Sequence, residues 1–350
     1  MHPLRFKAEV LGHRLAALAG VRPRTRLRAP FVPPVAGRMA SMLLAGDHDT
    51  LRFTIKHLHP DARPGAIEAM LDILDAGERC DRWIERLRVW YRESREFHAT
   101  AACLHGLVRY AWQKRGRDEG GRVPAQCGED CRDACIDAAR LLDEALAEQP
   151  DNTGLLCLSL TVARTCGEPV AVSAERFGRL CAVAPLHVPG HHAMLENLDP
   201  RWGGSDGAQL GFARERAAAA PDGHPLCALA ARAQFSRYLR QRATADGAAE
   251  SFFHDPAVAA DVEAGWRRSV ASPAFLEETW RDELNNLFAA MLYLSGHVAH
   301  ARLALAALDG TCLAEPWQAL ARTPRETAHP GWVVDRVRGD LALVEKDAAG

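Results

Sequence analysis

Three prolines set the strongest constraint on how this chain folds. Pro150, Pro185 and Pro221 each close an alanine- and leucine-rich segment, in ALAEQPDN, LCAVAPLH and RAAAAPDG, at spacings of 35 and 36 residues. Proline has no N–H and its ring crowds the preceding turn, so a recurring proline is a recurring helix end. Between these ends the apolar residues recur at helical spacing, and the chain has almost no β-branched run from which to build a strand. A period of this length holds two helices and a turn. One such pair cannot bury its apolar face alone, so the period predicts helix pairs stacked on their neighbours.

Ala138, Leu142, Ala145 and Pro150 follow a small, bulky, small, proline order, and Phe177 and Pro185 repeat its eight-residue offset. Ala289, Leu292, Gly296, Ala301 and Leu305 echo a helix–turn–helix half near the C-terminus. The pattern resembles the tetratricopeptide class, whose first-helix Trp and Leu-Gly positions are mostly missing here. The resemblance implies an all-α fold, a right-handed α-solenoid of stacked helix pairs with a concave surface.

Composition and charge divide the chain further. Residues 1–28 carry seven basic side chains against the single acid Glu9, although the whole chain has a net charge of -2. Residues 22–35 hold four prolines and four arginines, which favour extended backbone. We therefore expect a basic, flexible Pro/Arg-rich arm over 1–35, a helical-repeat domain over 36–320, and a C-terminal extension over 321–350 with one helix from Trp332 to Val344. Short helices are expected around Gly46, with longer ones at Pro64–Ala76, Glu78–Glu96, His98–Lys114, Pro225–Gln241, Pro256–Val270 and Pro273–Leu294. Thr311–Pro330 reads as irregular, with Pro316-Trp317 docking on the last repeat. No apolar run approaches the roughly 18 residues of a membrane span. The ten cysteines read as reduced, mostly buried thiols, which favours a cytoplasmic chain. A dedicated nucleic-acid binder would be basic, so nucleic acid is expected only through residues 1–28.

Several constellations suggest chemistry, and each lacks its context. Gly203-Gly204-Ser205-Asp206-Gly207 fits the Gly-x-Ser-x-Gly pattern, but the nucleophile elbow needs a strand before the serine, and a helix is expected there. His187 and His191 have the i, i+4 spacing of metal ligands, yet Pro189-Gly190 lies between them. His192 with Glu196, and His297 with His300, each offer two ligands where a site needs three or four. His57, His59 and Asp61 surround a proline in a turn. Cys127, Cys131 and Cys135 fall on one helix face without a second pair, and read as core-facing thiols. Arginine interleaved with aromatics over 78–96 has acidic neighbours throughout and reads as a salt-bridged face. No catalytic residue, cofactor or metal is assigned on these grounds.

The segment from Asp199 to Ser205 stands apart. Pro200 stops a helix, Gly203 and Gly204 permit unusual φ, and Ser205 is placed to cap the next helix. A Gly-Gly-Ser turn into a helix N-terminus beside Arg201 is also a candidate anion site. Arg201, Trp202, Gly203, Gly204 and Ser205 are thus the candidate structural or binding residues. Asp199-Pro200-Arg201-Trp202-Gly203-Gly204-Ser205, followed by Phe212-Ala213-Arg214, resembles a family of uncharacterised bacterial helical-repeat proteins with a Pro-(Lys/Arg)-Trp-Gly-Gly-Ser turn. The similarity covers roughly residues 36–320, including Trp112 and Gly116. That family has no known activity, so the resemblance implies a fold. The expected function is a non-catalytic scaffold for a protein or peptide partner. The alternative is a small-ligand or anion sensor, or an enzyme, centred on Arg201–Ser205.

Overall fold

The computed structural model describes residues 22–28, 33–59, 63–77, 80–94, 96–115, 125–244 and 251–349. The chain divides into two compact units: a continuous one, Phe31–Ser205, and a discontinuous one, Met1–Pro30 with Asp206–Gly350. The division falls inside the range read as a single repeat domain, one residue after the Trp-Gly-Gly-Ser turn. Helices make up nearly all regular structure. The two strands among the described residues are two residues each, and no described helix is long and apolar enough to cross a membrane.

The continuous unit holds α1 (Pro34–Ala45), α2 (His48–His57), α3 (Arg63–Gly77), α4 (Cys80–Ser94), α5 (Phe97–Arg115), α6 (Ala125–Glu148), α7 (Thr153–Thr165), α8 (Val170–Val183) and α9 (Val188–Asn197). Each helix from α4 onward packs on its successor, and two longer-range contacts recur in step: α5 lies against α7, and α7 against α9. Ile67, Met70, Leu71 and Leu74 form the buried stripe of α3, as their spacing predicts. Trp83, Leu87 and Trp90 do the same for α4. Each such side chain removed from water contributes about 1.5–3 kcal/mol. Gly106 of α5 sits where any Cβ would collide with Leu87 and Trp83, so this glycine sets how closely α4 and α5 approach. Asp47 and Asn152 cap α2 and α7 by accepting from Thr50 N at 3.2 Å and Leu155 N at 3.1 Å.

The discontinuous unit begins with β1 (Arg26–Leu27). It continues with α10 (Asp206–Ala219), α11 (Leu229–Thr244), α12 (Pro256–Arg268), α13 (Glu278–Leu294), α14 (Val298–Ala306), β2 (Thr311–Cys312), α15 (Pro324–Ala328) and α16 (Gly331–Ala349). Among the described residues this unit also holds three 3-10 turns, Pro225–Ala228, Phe252–His254 and Trp317–Leu320, and a fourth, Pro200–Trp202, lies in the continuous unit. The core gathers Phe253, Trp266, Phe288, Trp317, Val333 and Val337 from five elements. Asn286, buried within α13, accepts from Leu313 N at 3.0 Å and from Trp317 Nε1 at 2.7 Å, and its own amide donates to Asp282 O at 2.7 Å. Trp317 docks on this helix fully buried.

Four expectations are revised by what the segments touch. Residues 22–28 are extended and also anchored: β1 pairs in parallel with β2, and Asp335 of α16 accepts from Arg24 N, Thr25 N and Thr25 Oγ1 at 2.6, 3.1 and 2.7 Å. Arg28 forms an ion pair with Asp282. The helix expected from Pro273 starts instead at Glu278. Phe275 N donates to Ser272 O in a turn that drives the Phe275 ring into the core, and that insertion outweighs a proline's fitness for a helix start. Thr311–Pro330 is not wholly irregular. It contains β2, a 3-10 turn and α15, which Thr323 caps by accepting from Glu326 N at 3.2 Å. Finally, Pro189-Gly190 does not interrupt α9 but lies in its first turn, where a missing N–H costs nothing. Asp61, Gly116 and residues 1–21 lie outside the described residues.

Candidate functional site

The Arg201–Ser205 turn is built around Asp199. The Asp199 side chain is 2% exposed and accepts from Arg201 N at 2.9 Å and Arg201 Nε at 3.0 Å. Its backbone carbonyl takes Trp202 N at 2.9 Å and Gly204 N at 3.2 Å, while Gly203 N reaches Pro200 O at 3.4 Å. Gly203 has φ of 88°, the left-handed region that favours glycine. At Gly204 a Cβ would overlap the Leu198 backbone, so no side chain fits there. The N–H groups of Arg201, Trp202, Gly203 and Gly204 are thus engaged by Asp199 and Pro200, and the carboxylate of Asp199 holds the guanidinium of Arg201. Trp202 meets Trp112 of α5 edge to face, with ring centroids 5.1 Å apart and planes at 81°. Trp112 and Trp202, one from α5 and one from the turn, are therefore packing partners. Ser205 immediately precedes α10 and follows a 3-10 turn, so the strand a nucleophile elbow needs is not there.

The histidines separate into different roles. His187 caps α9, its Nδ1 accepting from Gly190 N at 3.1 Å, and burial pushes its pKa down. His191 is buried edge-on against Phe177, with ring centroids 4.9 Å apart, and its Nδ1 lies 3.0 Å from His187 O. These two are not convergent ligands. Glu196, the expected partner of His192, forms an ion pair with Arg164. His57 Nδ1 lies 2.8 Å from Phe53 O, at the end of its own helix. His297 and His300 differ from the rest: Glu263, from α12, joins them so that candidate ligand atoms of all three lie within 4.8 Å of one another. Sequence reasoning missed Glu263 because it stands 34 residues before His297 on another helix. Within the sequence, only the unexplained His297–His300 spacing pointed to it.

The cysteine face behaves as a seam. Cys131 and Cys135 are half-buried rather than fully core-facing. Cys135 Sγ lies 3.6 Å from Thr165 O, and Cys166 Sγ lies 3.6 Å from Cys135 O, joining α6 to α7. A hydrogen bond from the Cys135 thiol lowers the Cys166 pKa against the opposing effect of burial. Burial pushes Cys103 up to about 12, and Cys157 and Cys312 up to about 11, which keeps those thiols protonated.

A cleft of about 300 Å³ opens where α4 and α6 flank α5. Arg88 of α4 bridges Glu85 at 2.6 Å and Asp137 of α6 at 2.9 Å. Tyr91 donates to Glu144 at 2.9 Å, and Arg140 reaches the same carboxylate at 2.7 Å. Arg92 is exposed at the rim. The arginine–acid alternation read from the sequence thus serves partly to tie α4 to α6. Comparison with family profiles, with curated proteins and with solved structures yields no match to this chain.

Proposed function

We propose that the chain is a non-catalytic scaffold of tetratricopeptide type that binds a protein or peptide partner, as its helical period and its turn resemblance to the bacterial family suggest. The observation that carries this reading is the stepwise packing of α5 on α7 and of α7 on α9, with α6 and α8 between them. Alternate helices in contact are what a stack of helix pairs requires. The partner surface is the mixed-charge cleft of the continuous unit, whose Arg92 and Arg140 offer donors to acidic or carbonyl groups. The alternative anion reading at Arg201–Ser205 is disfavoured because Asp199 already takes the N–H groups of Arg201, Trp202 and Gly204 and the Arg201 guanidinium. A cytoplasmic setting accords with the thiols.

Cross-linked affinity capture from the native cell tests the reading. The double substitution Arg92→Glu with Arg140→Glu should release a partner held by the wild type while helical circular dichroism is retained. Capture that is unchanged in this variant sinks the cleft as the partner surface. Loss in Arg201→Ala with Trp202→Ala alone would move the surface to the turn.

A further inference from the structure

We propose that Glu263, His297 and His300 form a binding site for a divalent first-row transition metal ion of the zinc type. The inference goes beyond the scaffold reading and does not depend on it. Two imidazoles and a carboxylate are the ligand set that suits such an ion, whereas calcium and magnesium take oxygen ligands. The three residues come from two elements. Glu263 lies on α12, His297 immediately precedes α14, and His300 lies in its first turn. Their candidate ligand atoms lie within 4.8 Å of one another. Metal–ligand bonds of about 2.0–2.1 Å in tetrahedral geometry place ligands about 3.4 Å apart, so side-chain rotation of little more than about 1 Å closes the site.

A second observation points the same way. His297 Nε2 is buried with no hydrogen-bond partner among the described residues. Buried polar atoms ordinarily find partners, and a metal ion would give this nitrogen one. The His300 ring rests on Trp266, with centroids 4.5 Å apart and planes at 35°, which restricts its orientation. His300 Nδ1 lies 3.6 Å from Glu263 Oε1. The same oxygen accepts from Arg267 Nη2 at 2.7 Å. Arg267 is exposed and on the same helix face, so its guanidinium competes with the ion for the carboxylate and can swing into solvent. Three protein ligands leave a fourth position for water.

The test is calorimetric titration of the full chain with zinc chloride, paired with cobalt(II) absorption. The wild type should bind one zinc ion, with no comparable response to magnesium. Cobalt should show ligand-field bands without the thiolate charge-transfer band that the cysteines would produce. Glu263→Gln and His300→Ala should each weaken zinc binding about 100-fold, the upper end of what loss of even an outer partner costs. Arg267→Ala should bind as tightly as the wild type or more tightly, an effect that a purely structural Arg267–Glu263 pair would not produce. Thermal unfolding without metal identifies variants that remain folded. If His300→Ala does not fold, the near-isosteric Glu263→Gln decides. Absence of zinc binding, a thiolate band, or undiminished affinity in Glu263→Gln overturns the proposal.

Discussion

Asn286 shows what a single polar side chain does inside an apolar helix. Its oxygen serves a part-buried backbone N–H and the fully buried indole N–H of Trp317 at once. Asn286→Ala strands both donors, each at about 1–3 kcal/mol. Urea unfolding should show a loss of about 2–4 kcal/mol, well above that of an exposed alanine substitution. Asn197 has a related role in the continuous unit, donating to Leu160 O at 2.8 Å and Ser173 Oγ at 2.9 Å. Neither role is visible in the sequence, since an asparagine within a helical pattern carries no sign of what lies 27 or 37 residues away. Gly204 is different. Its place in a Gly-Gly turn after proline announces an unusual backbone, and the structure supplies the close approach to Leu198 that excludes a side chain.

Among the elements, two helical segments begin on histidine caps. His187 and His224 each use Nδ1 to accept a backbone N–H, from Gly190 and from Leu226 at 3.2 Å. Burial lowers both pKa values. A lowered histidine pKa means that the unfolded chain takes up the proton first. The stabilisation is therefore present above the ordinary histidine value and is lost as pH falls through the lowered folded value. His187→Asn retains a capping oxygen that does not titrate in this window. The stability of His187→Asn relative to wild type, measured by thermal unfolding, should accordingly rise as pH falls from 7 toward 5, by up to about 1 kcal/mol. Most helices were legible from apolar spacing and from proline and glycine at their ends, as α1 through α5 show. The start at Glu278 was not, because Pro273 is equally suited to a helix start and to the turn that buries Phe275. Only the core decides between them. The Glu263–His297–His300 grouping was half legible: the spacing of the histidines is local, and the carboxylate that completes it arrives through the packing around α12.

At the scale of the whole molecule, the discontinuous unit draws on both sides of the continuous one in sequence. Asp335 binds Arg24 and Thr25, and Arg338 Nη1 donates to Thr25 Oγ1 at 2.6 Å. Asp335→Ala removes three acceptor contacts, and chemical denaturation should register a loss of about 2–4 kcal/mol. The continuous unit runs unbroken from Phe31 to Ser205. On the ribosome Phe31–Ser205 emerges as one stretch, while Arg26 must wait for Thr311 to find its strand partner. During that interval Arg26 and Leu27 lack their strand partner, and Arg24 and Thr25 lack the Asp335 carboxylate that accepts from their backbone N–H groups.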